Sequence, residues 1–231
     1  NLDFYTKVLG LRLVKKTVNF DDPRTYHFYF GNETGAPGSI LTFFPWEGIG
    51  QGRNGTGMAT GIGYSVPEGS LPFWENLFKK YHIRQQPVTE QFGESRLSFR
   101  DPDGLHIELI VPEKRDSRVP WETDEVKADT ATKGFYNATL TLKDIKATAE
   151  ILTDVFGYSL LKQEGRRYRF TTHTPNDASV IDLLEAPELP RGYNAAGTNH
   201  HIAFRVKDEA LQMELREKIA GRGLNPTPKI N

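Results

Sequence analysis

An internal repeat constrains the fold of this chain more than any other feature of its sequence. The segment 4–16 (FYTKVLGLRLVKK) resembles the segment 151–163 (ILTDVFGYSLLKQ). In both copies an amphipathic run ends at a glycine, Gly10 or Gly157, and an apolar run follows. Glycine reaches the left-handed backbone conformation at the end of a helix at little cost. The repeat therefore predicts a helix, a glycine and a strand in each half of the chain.

A second repeat lies inside the halves. The strand-like run 62–66 (IGYSV) precedes a predicted helix at 70–81, and the run 202–206 (IAFRV) precedes a predicted helix at 208–220. The stretch 138–144 (ATLTLKD) matches the same template. Each half is thus predicted to hold two units, each made of a strand, a helix and further strands. These further strands are predicted from alternating, β-branched or aromatic residues at 11–20, 25–31, 39–44, 94–100, 105–111, 158–163, 166–172 and 179–185.

The repeat also gives the domain boundaries. It predicts an α+β protein of four βαβββ units, with a first domain at 1–111, a polar linker at 112–133 and a second domain at 134–231. By comparison with the more complete units, the first unit lacks its first strand and the fourth unit lacks its last strands. We therefore interpret the 231 residues as part of a longer protein, truncated at both ends.

The composition excludes several classes of function. The chain has no cysteine, which removes thiol nucleophiles and thiolate-bound zinc or iron–sulfur sites. Its formal net charge of −1 argues against a nucleic-acid partner. No apolar run approaches the roughly 20 residues that a membrane helix needs. The absence of cysteine is compatible with a reducing compartment, so we expect a cytoplasmic protein. A metal must be held by His, Asp or Glu.

Several stretches of the sequence carry a family resemblance. The turn 101–104 (DPDG) precedes a strand-like run that contains Ile-Glu-Leu. With the four-unit organisation and the helix–glycine–strand pattern, this resembles the vicinal oxygen chelate superfamily, which includes glyoxalase I, the bleomycin-resistance proteins and the extradiol dioxygenases. The stretches that are similar to its two-domain, hydroquinone-cleaving dioxygenase branch are 1–16 (NLDFYTKVLGLRLVKK), 26–31 (YHFYFG), 38–46 (GSILTFFPW) and 199–206 (NHHIAFRV).

The resemblance implies a fold and an activity. Two tandem glyoxalase-like domains would curl their paired units into cup-shaped, partly open barrels, with a metal inside one cup. In the ring-cleaving branch two His and one carboxylate hold Fe(II), with Mn(II) as the alternative, and leave adjacent positions open for substrate and O₂. The implied function is cleavage, with O₂, of the ring of a hydroquinone- or catechol-type diol. A homo-oligomer is compatible with the resemblance.

Two adjacent histidines, His200 and His201, are the candidate site residues of the fourth unit. From spacing alone, a solvated pair at the start of a strand is the favoured interpretation. The resemblance reverses that preference, because His201 matches the family's second His ligand. His200 matches a position that moves protons on and off the substrate hydroxyl, although a surface residue without a role is an equal alternative. A strand at 202–206 would place Arg205 on the cup side as a pocket residue and pack its apolar side on the helix at 208–220.

Aromatic residues near the end of the first unit are candidates for a substrate pocket. Phe44 and Trp46 flank Pro45, and aromatic side chains commonly line small-molecule sites, although they belong more often to a core. Phe43 and Phe44 point to opposite faces of a strand, so at most one of them faces the cup. His27 is predicted to be an ordinary strand residue with a solvated or hydrogen-bonded ring.

His106 and Glu108 form a pair that imitates half of a metal site. Glu108 stands at the position of the family's carboxylate, and His106 points the same way on the strand. The residues of the second and third units that match His201 are Gly61 and Asn137, and neither is a usual transition-metal ligand. We therefore expect structural or surface roles for His106 and Glu108, a metal-free cup between the middle units and a metal cup between the first and fourth. The remaining His and Glu ligands are expected outside the 231 residues.

Two alternatives keep the fold and change the function. A glyoxalase-type isomerase or thiol transferase would use other last-strand ligands and respond to nickel or zinc. A non-catalytic protein of the bleomycin-resistance type would sequester a drug or a phenol without a metal. The glycine-rich stretch 50–57 does not fit a nucleotide-binding fingerprint. We interpret it as a connection between units and a candidate for a mobile loop over the cup.

Overall fold

Two β-sheets and three α-helices make up the described part of the chain. The computed structural model describes residues 1–173 and 179–229. The strands are β1 (Arg12–Val18), β2 (Tyr26–Gly31), β3 (Leu41–Phe43), β4 (Met58–Ser65), β5 (Thr89–Gln91), β6 (Glu94–Arg100), β7 (His106–Ile110), β8 (Phe135–Leu142), β9 (Ser159–Glu164), β10 (Arg167–Thr171) and β11 (Val180–Glu185). The helices are α1 (Leu71–Lys80), α2 (Lys146–Asp154) and α3 (Glu209–Gly221). None of the described helices has the length and apolarity that crossing a membrane requires.

The larger sheet has eight strands in the order β5-β6-β7-β4-β8-β11-β10-β9. The second and third units each contribute four neighbouring strands, and they meet where β4 pairs antiparallel with β8. Within each unit the first strand runs parallel to the last, with β4 beside β7 and β8 beside β11. Along the chain each of these units has the predicted order of strand, helix and three strands. The mixed, curled sheet confirms the α+β, glyoxalase-like fold.

The first unit forms a separate antiparallel sheet in the order β1-β2-β3. A short π-helical segment, Phe4–Val8, precedes it. Gly10 follows that segment with a φ of 64°, and Gly157 follows α2 with a φ of 71°. A side chain at Gly10 would also approach Val126 to 3.1 Å. Both glycines therefore end helical turns in the left-handed conformation, as the repeat predicts.

The main hydrophobic core lies between the first unit and the larger sheet. On α1, whose first turn contains a proline, Trp74 and Phe78 are fully buried. A proline is tolerated there because the first turn has no N–H partner to lose. Tyr5 packs against Phe43 with ring centroids 4.6 Å apart, and Phe78 packs against Phe99 at 4.5 Å. This core buries one face of the three-stranded sheet and leaves the opposite face for a cavity.

The predicted strand at 202–206 is wrong. The segment forms no strand in the structure, and α3 after it buries none of its residues. Phe204 stacks on Phe156 instead of packing against α3, with ring centroids 5.1 Å apart and an angle of 11° between the ring planes. A strand forms only where a neighbour pairs with its N–H and C=O groups, and no described strand pairs with this segment.

The predicted linker at 112–133 contains neither helix nor strand, but it is packed against the first half of the chain. Trp74 on α1 donates through Nε1 to the carbonyl oxygen of Thr130 at 2.9 Å. Arg118 donates through Nη2 to the carbonyl oxygen of Phe135 at 2.9 Å. These bonds fasten the segment to α1 and to the start of β8. The division of the chain into two domains at this segment stays a prediction.

Candidate active site

A large cavity of about 1830 Å³ opens between the first unit, the middle of the larger sheet and the segment 194–207. Its walls include all of the residues that the sequence proposes for an active cup and a pocket. These are Phe44, Trp46, His200, His201 and Arg205. Residues far apart in the sequence, from the end of the first unit and the start of the fourth, therefore meet at one cavity.

The glycine-rich stretch 50–57 is held in place beside this cavity by the segment 190–198. Backbone hydrogen bonds run from Gly52 N to Ala196 O, from Arg53 N to Tyr193 O and from Thr56 N to Pro190 O, at 2.8, 2.9 and 2.9 Å. We call these two segments together the strap. The structure thus shows the predicted connection between units, joined to the segment 190–198 by several backbone hydrogen bonds. His200 lies two residues after the end of the strap at residue 198, so the strap positions the start of the histidine pair.

The two histidines contact each other. His200 Nδ1 and His201 Nδ1 lie 2.9 Å apart, so one ring donates to the other. The ring planes are nearly perpendicular, at 82°. Because this contact uses Nδ1 of His201, the Nε2 atom is the one available to a metal. Both side chains are exposed and line the cavity.

The aromatic wall of the cavity comes from the residues after β3. Phe44 stacks on Trp46 with ring centroids 5.3 Å apart and an angle of 26° between the planes. Phe43 packs in the core on Tyr5 and Phe30 and also contributes to the lining of the cavity. Both neighbouring phenylalanines therefore reach the cavity, and Phe44 forms its aromatic wall together with Trp46.

β2 contributes two cavity residues that were not predicted from the sequence, His27 and Tyr29. The Tyr29 hydroxyl and His27 Nδ1 are 3.0 Å apart. Burial lowers the pKa of His27, with smaller contributions from Lys15 and His201, so the ring is neutral near pH 7. The alternation of residues along 26–31 could have predicted that both residues face the cavity. Aromatic residues of the core alternate with His27 and Tyr29, which must then face the cup.

His106 and Glu108 lie in the cup between the second and third units, which we call the middle cup. Glu108 is buried on β7 and accepts hydrogen bonds from Arg96 Nη1 and Ser98 Oγ, both at 3.2 Å. His106 lies two residues earlier on the same strand, and burial lowers its pKa. Arg96 and Ser98 engage both oxygens of Glu108, which supports the structural role expected for it. Neither His106 nor Glu108 lines the cavity.

An ionic network fills the middle cup. Arg169 donates to both oxygens of Asp182, at 2.8 and 3.0 Å, and also to Glu94. Asn137, which matches His201 in the repeat, donates to Asp182 at 2.7 Å. This network was not predicted from the sequence. Its signal was the similarity between 107–110 (IELI) and 181–184 (IDLL), which places Glu108 and Asp182 at equivalent positions. The charged side chains of the network are Glu94, Glu108, Asp182, Arg96, Arg167 and Arg169.

The side chains of the cavity that could bind a metal account for only part of a complete metal site. In residues 1–173 and 179–229, no three His, Asp or Glu side chains come close enough together to hold a metal ion. His201 offers the cavity an imidazole nitrogen, a ligand type that suits iron and other first-row transition metals. The described cavity residues therefore fit one His ligand and its hydrogen-bonded neighbour, His200.

Curated relatives indicate the family. No protein-family model matches the chain. The chain is 44% identical over 228 residues to MhqO of Bacillus subtilis (strain 168), which bears the name of a ring-cleaving dioxygenase, and the match covers 99% of this chain and 72% of MhqO. It is 32% identical over 228 residues to the chlorohydroquinone/hydroquinone 1,2-dioxygenase of Sphingobium indicum, covering 96% of this chain and 71% of that enzyme.

Solved structures agree with these relatives. A crystal structure from Bacillus subtilis subsp. subtilis str. 168, described as a dioxygenase, has a TM-score of 0.91 and 44% identity, and the match covers 98% of this chain and 72% of that one. Glyoxalase I from Zea mays has a TM-score of 0.61 at 15% identity, over 84% of this chain and 66% of that one. At this identity the similarity concerns the fold alone. The chain therefore belongs to the ring-cleaving dioxygenases of the vicinal oxygen chelate superfamily.

Proposed function

We propose that this protein is a metal-dependent, extradiol-type dioxygenase that uses O₂ to cleave the ring of a hydroquinone- or catechol-type diol. The observation that carries the proposal is the contact pair of His200 and His201 on the wall of an aromatic-lined cavity. The similarity to a chlorohydroquinone/hydroquinone 1,2-dioxygenase, along most of both chains, supports the substrate class.

His201 would hold the metal through Nε2, because its Nδ1 contacts His200. Fe(II), or Mn(II) as the alternative, would bind a substrate oxygen and O₂ and carry electrons between them. We propose that the other His and a Glu complete the ligand set from outside the 231 residues. This is supported by the middle cup, where the carboxylates of Glu108 and Asp182 already bind arginines.

The other residues of the cavity would bind the substrate and move its proton. We propose that His200 exchanges a proton with the diol hydroxyl next to His201. A neutral His201 that binds a metal through Nε2 keeps its own proton on Nδ1, so His200 would release its Nδ1 contact with His201 to accept the proton of the diol. The stacked pair of Phe44 and Trp46 offers a flat apolar surface to the ring. The cation of Arg205 would attract the negative oxygen of the deprotonated diol.

We also propose that the protein works in the cytoplasm with a small aromatic diol and O₂, without a nucleic-acid or membrane partner. The formal net charge of −1 and the absence of cysteine support this proposal. Because the resemblance is compatible with a homo-oligomer, light scattering on the full-length protein would measure the number of subunits.

Oxygen uptake tests the proposed activity. The full-length natural protein, reconstituted anaerobically with Fe(II), should consume O₂ when hydroquinone or catechol is added. His201→Ala should lower the rate by about a hundredfold or more, because it removes a metal ligand. His82→Asn is the matched control. His82 is exposed, lies outside the cavity and has a φ of 55°, which asparagine tolerates.

Two results would contradict the proposal. Uptake that survives in His201→Ala would show that this residue holds no essential metal. If the metal-loaded protein consumed no O₂ with either diol, the activity would be wrong. A glyoxalase-type isomerase, a thiol transferase and a phenol-binding protein would then be the functions to test on the same fold.

A further inference from the structure

We propose that His27 binds the second oxygen of the diol, the ring hydroxyl that does not approach His201. This inference rests on the proposed function, since it assigns a binding residue to the substrate of the same cavity. Four structural observations support it: the direction of the side chain, its contact with Tyr29, its unpartnered nitrogen and the packing of its ring.

The direction of His27 follows from β2. Phe28 and Phe30 pack on the core side of the strand, and Phe30 is fully buried. His27 and Tyr29 occupy the opposite face and line the cavity. On β1 the residue paired with Tyr29 is Lys15, whose ammonium lies 5.5 Å from the centre of the Tyr29 ring. His27 and Tyr29 are therefore polar residues on this face of the small sheet that line the cavity.

The contact with Tyr29 leaves one atom of His27 for a ligand. The Tyr29 hydroxyl occupies Nδ1 at 3.0 Å, and the other ring nitrogen, Nε2, is buried without a hydrogen-bond partner in the described residues. Buried polar atoms in proteins nearly always have a partner, so Nε2 has an unfilled hydrogen bond, which a ligand hydroxyl at this side of the cavity would fill. His27 and His201 both line this cavity.

A ring hydroxyl can bond to this nitrogen in either tautomer of His27. If Tyr29 donates to Nδ1, then Nε2 carries the proton and needs an acceptor, whereas in the other tautomer Nε2 is the acceptor. A hydroxyl can accept in the first case and donate in the second. A ring hydrogen provides neither function.

The His27 ring is held in place before any ligand arrives. Its centroid lies 4.1 Å from the centroid of the Tyr29 ring and 4.2 Å from that of Phe44. A ring fixed between two aromatic neighbours loses little freedom when it binds, which increases the affinity that one hydrogen bond provides. Phe44 also stacks on Trp46, so the polar atom and the apolar wall belong to one arrangement.

Anaerobic calorimetric titrations with hydroquinone and with phenol, which lacks the second hydroxyl, test the inference on the full-length metal-loaded protein. The wild type should bind hydroquinone more tightly than phenol. His27→Phe keeps a stacking ring and removes the nitrogens, so the Kd for hydroquinone should rise about tenfold while the Kd for phenol stays the same. His27→Gln, which can place an amide near the Nε2 position, should retain part of the preference.

Tyr26→Phe is the matched control, because Tyr26 is half exposed on the neighbouring position of β2 and does not line the cavity. It should change neither Kd. If His27→Phe weakened both ligands equally, or neither, the role of His27 would be packing and the inference would be wrong. If the wild type nevertheless took up O₂ with hydroquinone, the proposed function would be retained and only the role of His27 would be rejected. Failure of the wild type to bind hydroquinone would overturn both proposals.

Discussion

Arg169 is only 1% exposed and lies between two buried carboxylates. It donates to Asp182 and to Glu94, and its guanidinium lies 4.4 Å from the centre of the Phe92 ring. Buried carboxylates are costly unless a cation compensates them, and a guanidinium keeps its charge in a protein interior. In the middle cup, arginines therefore provide the positive charge that we propose a metal provides in the other cup.

Removal of the arginine should be strongly destabilising. Arg169→Met keeps a long side chain but leaves Asp182 and Glu94 without this cation. We expect the free energy of unfolding to fall by about 3–5 kcal/mol, measured by urea denaturation. Arg166→Met is the control, since Arg166 and Glu188 form an exposed pair that is worth at most about 1 kcal/mol. Equal losses in the two variants would show that the buried position of Arg169 adds nothing to the free energy of unfolding.

Among the elements of the fold, the strap connects the two halves beside the active cavity. Its two segments approach so closely that a Cβ atom on Gly55 would lie 2.3 Å from the carbonyl oxygen of Pro190. A Cβ atom on Gly197 would lie 1.9 Å from the carbonyl oxygen of Asp103. Glycine is thus required here for close backbone contact, and that contact positions the residues that lead into His200.

Gly55→Ala should disturb the strap. The added methyl group meets main-chain atoms, so the 190–198 segment must move, and we expect a loss of about 1–3 kcal/mol in the free energy of unfolding. Oxygen uptake should fall as well, because His200 and His201 follow that segment. Gly50→Ala is a control in the same stretch, with no atom within 4 Å of its added Cβ. The same stability and rate in both variants would refute the positional role of the strap.

Across the whole molecule, the pairing of β4 with β8 makes one sheet from residues of both halves. The network in the middle cup adds contacts across the same boundary, since Arg169 belongs to β10 and Glu94 to β6. The linker 112–133 is also fastened to both sides, through Thr130 to α1 and through Arg118 to β8. The two halves therefore share their hydrogen bonds and their buried charges.

We expect this shared structure to unfold in one cooperative transition. Tryptophan fluorescence reports on the first half and the linker, because all three tryptophans (Trp46, Trp74 and Trp121) lie there, whereas far-UV circular dichroism reports on both halves. The two signals should give coincident midpoints in urea. A second half that lost its strands at a separate midpoint would contradict this prediction.

Much of the fold was predictable because it depends on local patterns. The helix at 70–81 corresponds to α1 at Leu71–Lys80, and the helix at 208–220 corresponds to α3 at Glu209–Gly221. Short-range sterics and hydrophobic periodicity set such elements, and both can be read from neighbouring residues. The strand at 202–206 was predicted by the same periodicity, but a strand also needs a hydrogen-bonding neighbour, which the periodicity of one segment does not reveal.

The sequence by itself determined the order of the units, the glycines at 10 and 157 that end helical turns, and the candidate pair His200 and His201. Only the tertiary structure decided which side chains share a site. It brought His27 into the cavity with the histidine pair, and it paired Asp182 with Arg169 in the middle cup. The reason is physical: backbone conformation depends mainly on near neighbours, whereas the partners of a buried polar atom come from strands that are distant in the sequence.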